Sequence, residues 1–425
     1  MHELSQMIKD DMKPALGVTE PGAIAFAVAK ARSFTKGDIK KVNVAMNSGM
    51  YKNAFTCGIP NSNEVGNVFA AALGVVAGNA DKGLESLADV TPEDNVKAQE
   101  MIDQGKITVE LSGITSRIFI EATVETEEDK AIVTIRDSHT NITKIIVNDK
   151  VELETEDEKK TEEDGGEEES HSIHKYTLQQ LYDYVTTVDI EEIRFINEAY
   201  KVNLELFHEG LENPRTTFAR QLLAINKGKE VSDDEQKTAS LMCNAAIEAR
   251  VIGLDKPAMS ITGSGAHGII ATMPLYAAYK VNGYTEEQLL RATALSYLVC
   301  MYIKEYSGRL SAFCGCAIAA GSGMACALVY LRGGTVEMMA HTLNNMASSI
   351  TGMICDGGNQ GCTMKGVAAV DAAYKSVEFA MNGIYISEVH GINGNTPEET
   401  MRNMGLIASP GMVGTEKTIV EIFED

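Results

Sequence analysis

SAFCGCAIAAGSGMACALVYL, residues 311–331, runs for 21 residues without a charge between Arg309 and Arg332. That is long enough to cross a bilayer, so its reading decides what kind of protein this is. The composition is mostly Ala, Gly, Ser and Cys, which is weakly hydrophobic, and no other stretch competes as a span. A helix apolar all round is equally the centre of a large soluble bundle. We read it that way, with a membrane protein built on 311–331 as the rival. Helical spacing recurs around it, over 189–208, 215–227, 233–252, 286–305, 335–350 and 365–382, between Gly, Pro or Asn breaks. Beyond Tyr176 the expectation is therefore an all-helical domain around a buried central helix.

The N-terminal half has a different period. Residues 2–13 and 22–34 read as helices, the second led by Thr19-Glu20-Pro21, where a capping hydroxyl and a proline suit a helix start. A strand at Val42–Met46, a Gly/Asn-rich loop at Asn47–Asn63 and a small-residue helix near Gly66–Gly78 follow. From Ile107 the runs ITVELSG, SRIFIEATVET, KAIVTIRD and TKIIVND alternate apolar with polar and read as an antiparallel meander. Residues 152–169 hold 11 acids and two lysines and read as a solvated linker. The fold class expected is α+β. A mixed α/β domain with an antiparallel sheet spans 1–175 and closes over substrate, and a helical domain spans 176–425.

Thirty-seven basic against 60 acidic residues leave a net charge of −23 at pH 7. Such a surface repels phosphate backbones, and no Lys/Arg-rich run offers a local exception, so nucleic acid and membrane are not expected partners. A small molecule is. The start, MHELSQMIKDDMKP, carries acids where a signal peptide has a basic end and an apolar core, so a cytoplasmic location with reduced thiols is expected. Oligomeric state is left open, a homo-oligomer included.

Phosphate-loop, zinc-helix and nucleophile-elbow patterns are absent from the sequence. Thr262-Gly-Ser264-Gly-Ala-His267-Gly268 is glycine-rich but follows no readable strand. It either presents helix amides to a carboxylate or packs a helix tightly. Five of eight cysteines fall between Cys314 and Cys362, four of them in two short segments: Cys314-Gly-Cys316, then Cys355-Asp-Gly-Gly-Asn-Gln-Gly-Cys362. Zinc prefers close CxxC pairs, which are missing, whereas iron-sulfur clusters accept wider spacing. Three ligands would leave one iron open as a Lewis acid. Ordinary buried core cysteines are the competing reading. Lys304, Arg309 and Lys365 flank these segments, and cations in an apolar stretch need partners, either salt bridges or an anionic substrate. Lys52, Asn53 and His139 sit at element ends, where sites form.

Taken together, LGVTEP at 16–21, MYKN at 50–53, GIP at 58–60, HTNI at 139–142, MSITGSG at 259–265, YIKEYSGRLSAFCGC at 302–316 and GMICDGGNQGCTMK at 352–365 resemble the iron-sulfur-dependent L-cysteine desulfidases. That family is related to the alpha chain of iron-sulfur L-serine dehydratase. The resemblance spans nearly the whole chain. It implies a cytoplasmic lyase that splits L-cysteine into pyruvate, ammonia and hydrogen sulfide on a 4Fe-4S cluster. Cys316, Cys355 and Cys362 would be the ligands, with Cys314 as substitute for Cys316. It further implies Lys304, Lys365 or His139 as base or proton donor, Arg309 and Lys52 as carboxylate clamps, and Glu20, Asn53 and Ser264 as further substrate-binding groups. One departure matters. The family usually has cysteine in Gly-Cys-Thr-Glu-Pro, beside the cluster, where this chain has Val18, and Asn61-Ser62-Asn63 and Ala266-His267 also depart from the pattern. L-serine or another β-substituted acid is therefore the alternative substrate, and a non-catalytic amino-acid-binding or redox-sensing relative is the alternative class.

Overall fold

A computed structural model of the chain describes residues 1–115, 117–155, 172–308 and 310–425. Arg309 and residues 156–169 of the acidic run lie outside them. The fold is α+β.

Among the described residues eight strands form two sheets: β1 (Lys13–Leu16), β2 (Ile39–Asn47), β3 (Ile107–Gly113), β4 (Phe119–Thr126), β5 (Lys130–Arg136), β6 (Ile142–Val147), β7 (Lys150–Glu154) and β8 (Pro257–Ser260). The larger sheet has the order β3-β2-β4-β5-β6-β7. Its register aligns Val44 with Ala122 and Ala122 with Val133, with Met46, Ile120 and Ile135 in the next row. All six are fully buried, because alternate residues share one face and the helix Thr19–Arg32 covers it.

The first alternating run is not part of the meander. β2 lies between β3 and β4, and β3 joins β2 in parallel. A parallel neighbour needs a crossover, supplied here by the helices Asn67–Ala77 and Pro92–Asp103 between β2 and β3. Residues 152–154, expected in the linker, belong to the exposed edge strand β7. The loop expected at 47–63 contains the helix Ser48–Ala54. Its Gly49 lies so close to Leu310 that a Cβ there would sit 2.7 Å from the Leu310 Cβ, so tertiary packing overrides the loop-like composition. Thr19 is the first helical residue rather than the cap. Val18 holds the cap position and makes no side-chain capping bond.

The C-terminal region is helical. Helix Gly321–Leu331, preceded by a π turn at Cys316–Ala320, packs against Gly265–Asn282, Glu286–Ser307, Val336–Ile350 and Gly361–Met381. It is the buried central helix expected. Gly323 permits that packing, since a Cβ there would lie 2.2 Å from the Ser296 carbonyl oxygen. Among the described residues no helix is long and apolar enough to cross a membrane. Helices Gly265–Asn282, Pro397–Leu406 and Val413–Glu424 were not expected. The first has an almost uniform apolar surface, which hides the 3.6-residue period.

Two long-range pairings create the site. β1 pairs antiparallel with β8, Leu16 opposite Pro257 and Lys13 opposite Ser260, which sets residues 17–20 beside the loop 261–267. Phe313 bridges Ile354, with Cys314 N donating to Met353 O at 3.0 Å and Cys355 N to Ala312 O at 2.6 Å. The two cysteine segments are thereby joined.

Candidate active site

A cavity of about 80 Å³ lies where these pairings meet. Its wall includes Cys316, Cys355 and Cys362. These are the three partly accessible cysteines of the chain, the other five being buried. Cys316 begins the π turn, and π turns recur at functional sites. Cys355 Sγ lies 3.9 Å from Asn53 Oδ1, and Cys362 Sγ donates to Gly357 O at 3.4 Å. Burial, followed by the Cys355 sulfur, pushes the Cys362 thiol up to about 12. Cys314 is 3% exposed and is not part of this wall. Among the described residues no group of three His, Cys, Asp or Glu side chains is gathered tightly enough for a single metal ion. The donor set is three soft sulfurs spaced around a cavity, each near a glycine (Gly315, Gly357 or Gly358). That chemistry fits an iron-sulfur group.

The polar groups come from several elements. Glu20, in the first turn of Thr19–Arg32, accepts from Asn53 Nδ2 at 2.9 Å, and His139 Nε2, from the β5–β6 turn, stands 3.9 Å from Glu20 Oε1. Ser264 caps helix Gly265–Asn282 without a side-chain capping bond. Lys304, near the end of Glu286–Ser307, donates to Gly308 O at 2.7 Å. Burial holds its amine below the ordinary lysine range, opposed by the sulfurs of Cys300, Cys316, Cys355 and Cys314. Two expected residues stand elsewhere. Lys52 is fully buried and donates to Ser311 O (3.0 Å) and Cys355 O (2.9 Å) while paired with Glu416 (3.2 Å). The Lys365 ammonium is held by Asp356. Arg309 lies outside the described residues.

The loop before Ser264 follows a strand after all: β8 ends at Ser260. Thr262 adopts φ +52°, uncommon for a β-branched residue, and is fixed there by its N–H donating to Asp11 and its hydroxyl contacting His267 Nδ1. His267 and Arg250 are cavity residues the sequence reading missed. Burial, then Lys304 and Arg250, keep the His267 imidazole well below its ordinary range. Arg250 carried little signal in the sequence, because helix Glu235–Val251 also holds Glu235, Lys237 and Glu248 and one more charge does not stand out.

Val18, 2% exposed, faces the second cysteine segment. A Cβ on Gly358 would lie 2.7 Å from Val18 Cγ1. Residue 18, where the resemblance implied a cysteine, is thus an apolar wall beside the Cys355–Cys362 loop.

A sequence model described as serine dehydratase alpha chain matches residues 81–421. The UPF0597 protein of Clostridium botulinum (strain Hall) is 41% identical over 424 residues, covering 98% of this chain and 97% of its own. That of Caldanaerobacter subterraneus subsp. tengcongensis is 36% identical over 419 residues, covering 99% and 97%. That of Clostridioides difficile (strain 630) is 33% identical over 423 residues, covering 99% of each. The match across 81–421 takes in the helical region, the three cavity cysteines and most of the sheet, and this chain belongs to the serine dehydratase alpha chain family.

Proposed function

We propose that the protein is an iron-sulfur-dependent lyase that carries out β-elimination on a small amino acid, L-cysteine in the first reading, giving pyruvate, ammonia and hydrogen sulfide. The observation that carries it is the convergence of the three accessible cysteines on one cavity that also holds Lys304, Glu20 and Asn53. L-serine is the second reading. It is favoured by the family's description and by Val18, which leaves no thiol at that wall.

Cys316, Cys355 and Cys362 would hold a 4Fe-4S cluster, which supplies, when bound, Lewis acidity towards the substrate through an iron without a protein ligand. The chain's own groups do the rest. Lys304, whose burial favours the neutral amine, would take the α-proton. Glu20, oriented by Asn53, and His139 beside it make up the polar wall through which a proton reaches the leaving thiol or hydroxyl. Loss of the α-proton and the β-substituent yields aminoacrylate, whose tautomer takes up water and releases pyruvate and ammonia. Lys365 contributes by fixing Asp356 in the cysteine loop.

The test is anaerobic purification and reconstitution, followed by iron analysis and a pyruvate assay with L-cysteine and L-serine. About four irons per chain and pyruvate release are expected. Reconstituted protein that binds no iron overturns the reading. Pyruvate from L-serine alone selects the second substrate.

A further inference from the structure

Arg250 is 4% exposed, lines the cavity and has an Nε with no hydrogen-bond partner. The nearest carboxylate along its helix, Glu248, is committed elsewhere. It accepts the backbone N–H groups of Thr217 (2.8 Å), Phe218 (3.1 Å) and Ala219 (2.8 Å) at the start of helix Phe218–Ile225. Glu20 is engaged by Asn53 and His139. Among the described residues no carboxylate lies within ion-pair distance of the Arg250 guanidinium. A buried cation without a counter-charge is costly, so a ligand anion is the natural complement.

A second positive feature meets it. Helix Gly265–Asn282, 18 residues long, begins against Arg250. A Cβ on Gly265 would lie 2.7 Å from Arg250 Nε, and the helix has no side-chain cap. The first-turn amides of a helix have no partner within it and carry positive partial charge. Lys304 and His267 also line the wall, where a Cβ on Gly315 would lie 3.1 Å from Lys304 Cδ and 2.7 Å from His267 Nε2, next to Cys316. The cavity wall therefore carries an anion-seeking pair, Arg250 and the helix start at Gly265, together with the sulfurs of Cys316, Cys355 and Cys362.

We propose that Arg250, with the first amides of helix Gly265–Asn282, anchors the α-carboxylate of the substrate. The ligand class is then an α-substituted monocarboxylate whose β-carbon points towards the thiols. This rests on the reading of the cavity as an elimination site, and it moves the carboxylate contact from Lys52, which is spent on Glu416, to a residue on another helix. Arginine suits the task because its planar fork takes a carboxylate in bidentate fashion.

The experiment uses anaerobically reconstituted full-length protein and calorimetric titration with L-alanine, which has no leaving group, against L-alaninamide, which has no carboxylate. L-alanine binds, and the amide binds ~30-fold more weakly or worse. Arg250→Gln weakens L-alanine by a comparable factor, and Arg250→Lys falls between. Acid and amide within about threefold of each other, or no binding of L-alanine, overturns the proposal. So does an Arg250→Gln protein that is folded by circular dichroism and keeps parental affinity. If Arg250→Gln does not fold, the acid and amide pair on the parent protein decides. Arg250-dependent L-alanine binding without pyruvate release from any substrate upholds the anchor and sinks the lyase reading. Pyruvate release with an unchanged KM in Arg250→Gln does the reverse.

Discussion

Lys52 and Glu416 lie 364 positions apart in sequence and form an ion pair sealed from solvent, 3.2 Å from Nζ to Oε2, with side chains 0% and 5% exposed. Lys52 also holds the carbonyls of Ser311 and Cys355, and Glu416 accepts from Ser48 at 2.8 Å. Helix Val413–Glu424 is thereby tied to both segments that carry the accessible cysteines. Breaking a buried pair by removing one partner leaves a charge without compensation, so Lys52→Met is expected to cost about 3–5 kcal/mol. Lys52→Met/Glu416→Gln should recover part of that. Urea unfolding measures both, and a single-variant loss under about 1 kcal/mol would show that the pair is not buried as described.

Val18 and Gly358 give a second coupling. A methyl group on Gly358 has no room, with Val18 Cγ1 2.7 Å and Cγ2 3.0 Å from the Cβ position. Gly358→Ala is expected to destabilise by about 1–3 kcal/mol through overpacking. Val18→Ala makes the missing space, so the double variant should be more stable than the sum of the two losses by at least ~0.5 kcal/mol. Strict additivity in the cycle would mean that residue 18 does not face this loop.

The helical half was legible because its segments alternate clear breaks with a 3.6-residue period, and the central helix because its only flanking charges lie at Arg309 and Arg332. Where both periods vanish the reading failed. Gly265–Asn282 is buried on nearly every side and so shows no stripe, and Ser48–Ala54, seven residues long and led by Ser48-Gly49, is too short to show one. The order of the sheet was hidden for another reason: alternation marks a strand but not its neighbour, and only the parallel pairing of Val44 with Val109 places β2 inside the sheet. At the site, the cysteines were legible as a spacing pattern. Arg250 and His267 were not, since their nearness to Cys316 comes from the packing of helix Glu235–Val251 on Gly265–Asn282 and of the latter on the π turn at Cys316–Ala320, which spacing in sequence does not reveal.

The choice between Cys314 and Cys316 as ligand is open to direct test. Cys316 reaches the cavity, whereas Cys314 is buried behind it, its thiol pushed well up by its hydrogen bond with Cys316 and by burial. Cys→Ser at 316, 355 or 362 should each lower the iron bound after anaerobic reconstitution and bleach the visible absorbance, while Cys314→Ser retains both. Iron lost in Cys314→Ser and kept in Cys316→Ser would exchange the two assignments.

His267 predicts a pH dependence of its own in the metal-free protein. Burial holds its imidazole well below the ordinary 6.5, with Lys304 and Arg250 acting in the same direction. Below pH 6.5 the unfolded chain takes up a proton that the folded chain refuses, so the unfolded state binds more protons and stability falls as the pH falls. Above that pH both states are neutral and the effect disappears. Between about pH 7.5 and about pH 5.5 the parent should therefore lose about 1.4 kcal/mol more in urea unfolding than His267→Gln, which has no proton to take up. The comparison cancels the carboxylates common to both proteins. Equal losses, or a larger loss in the variant, would mean that the imidazole is charged inside the cavity, and its contact with Thr262 would then have to place a proton on Nδ1.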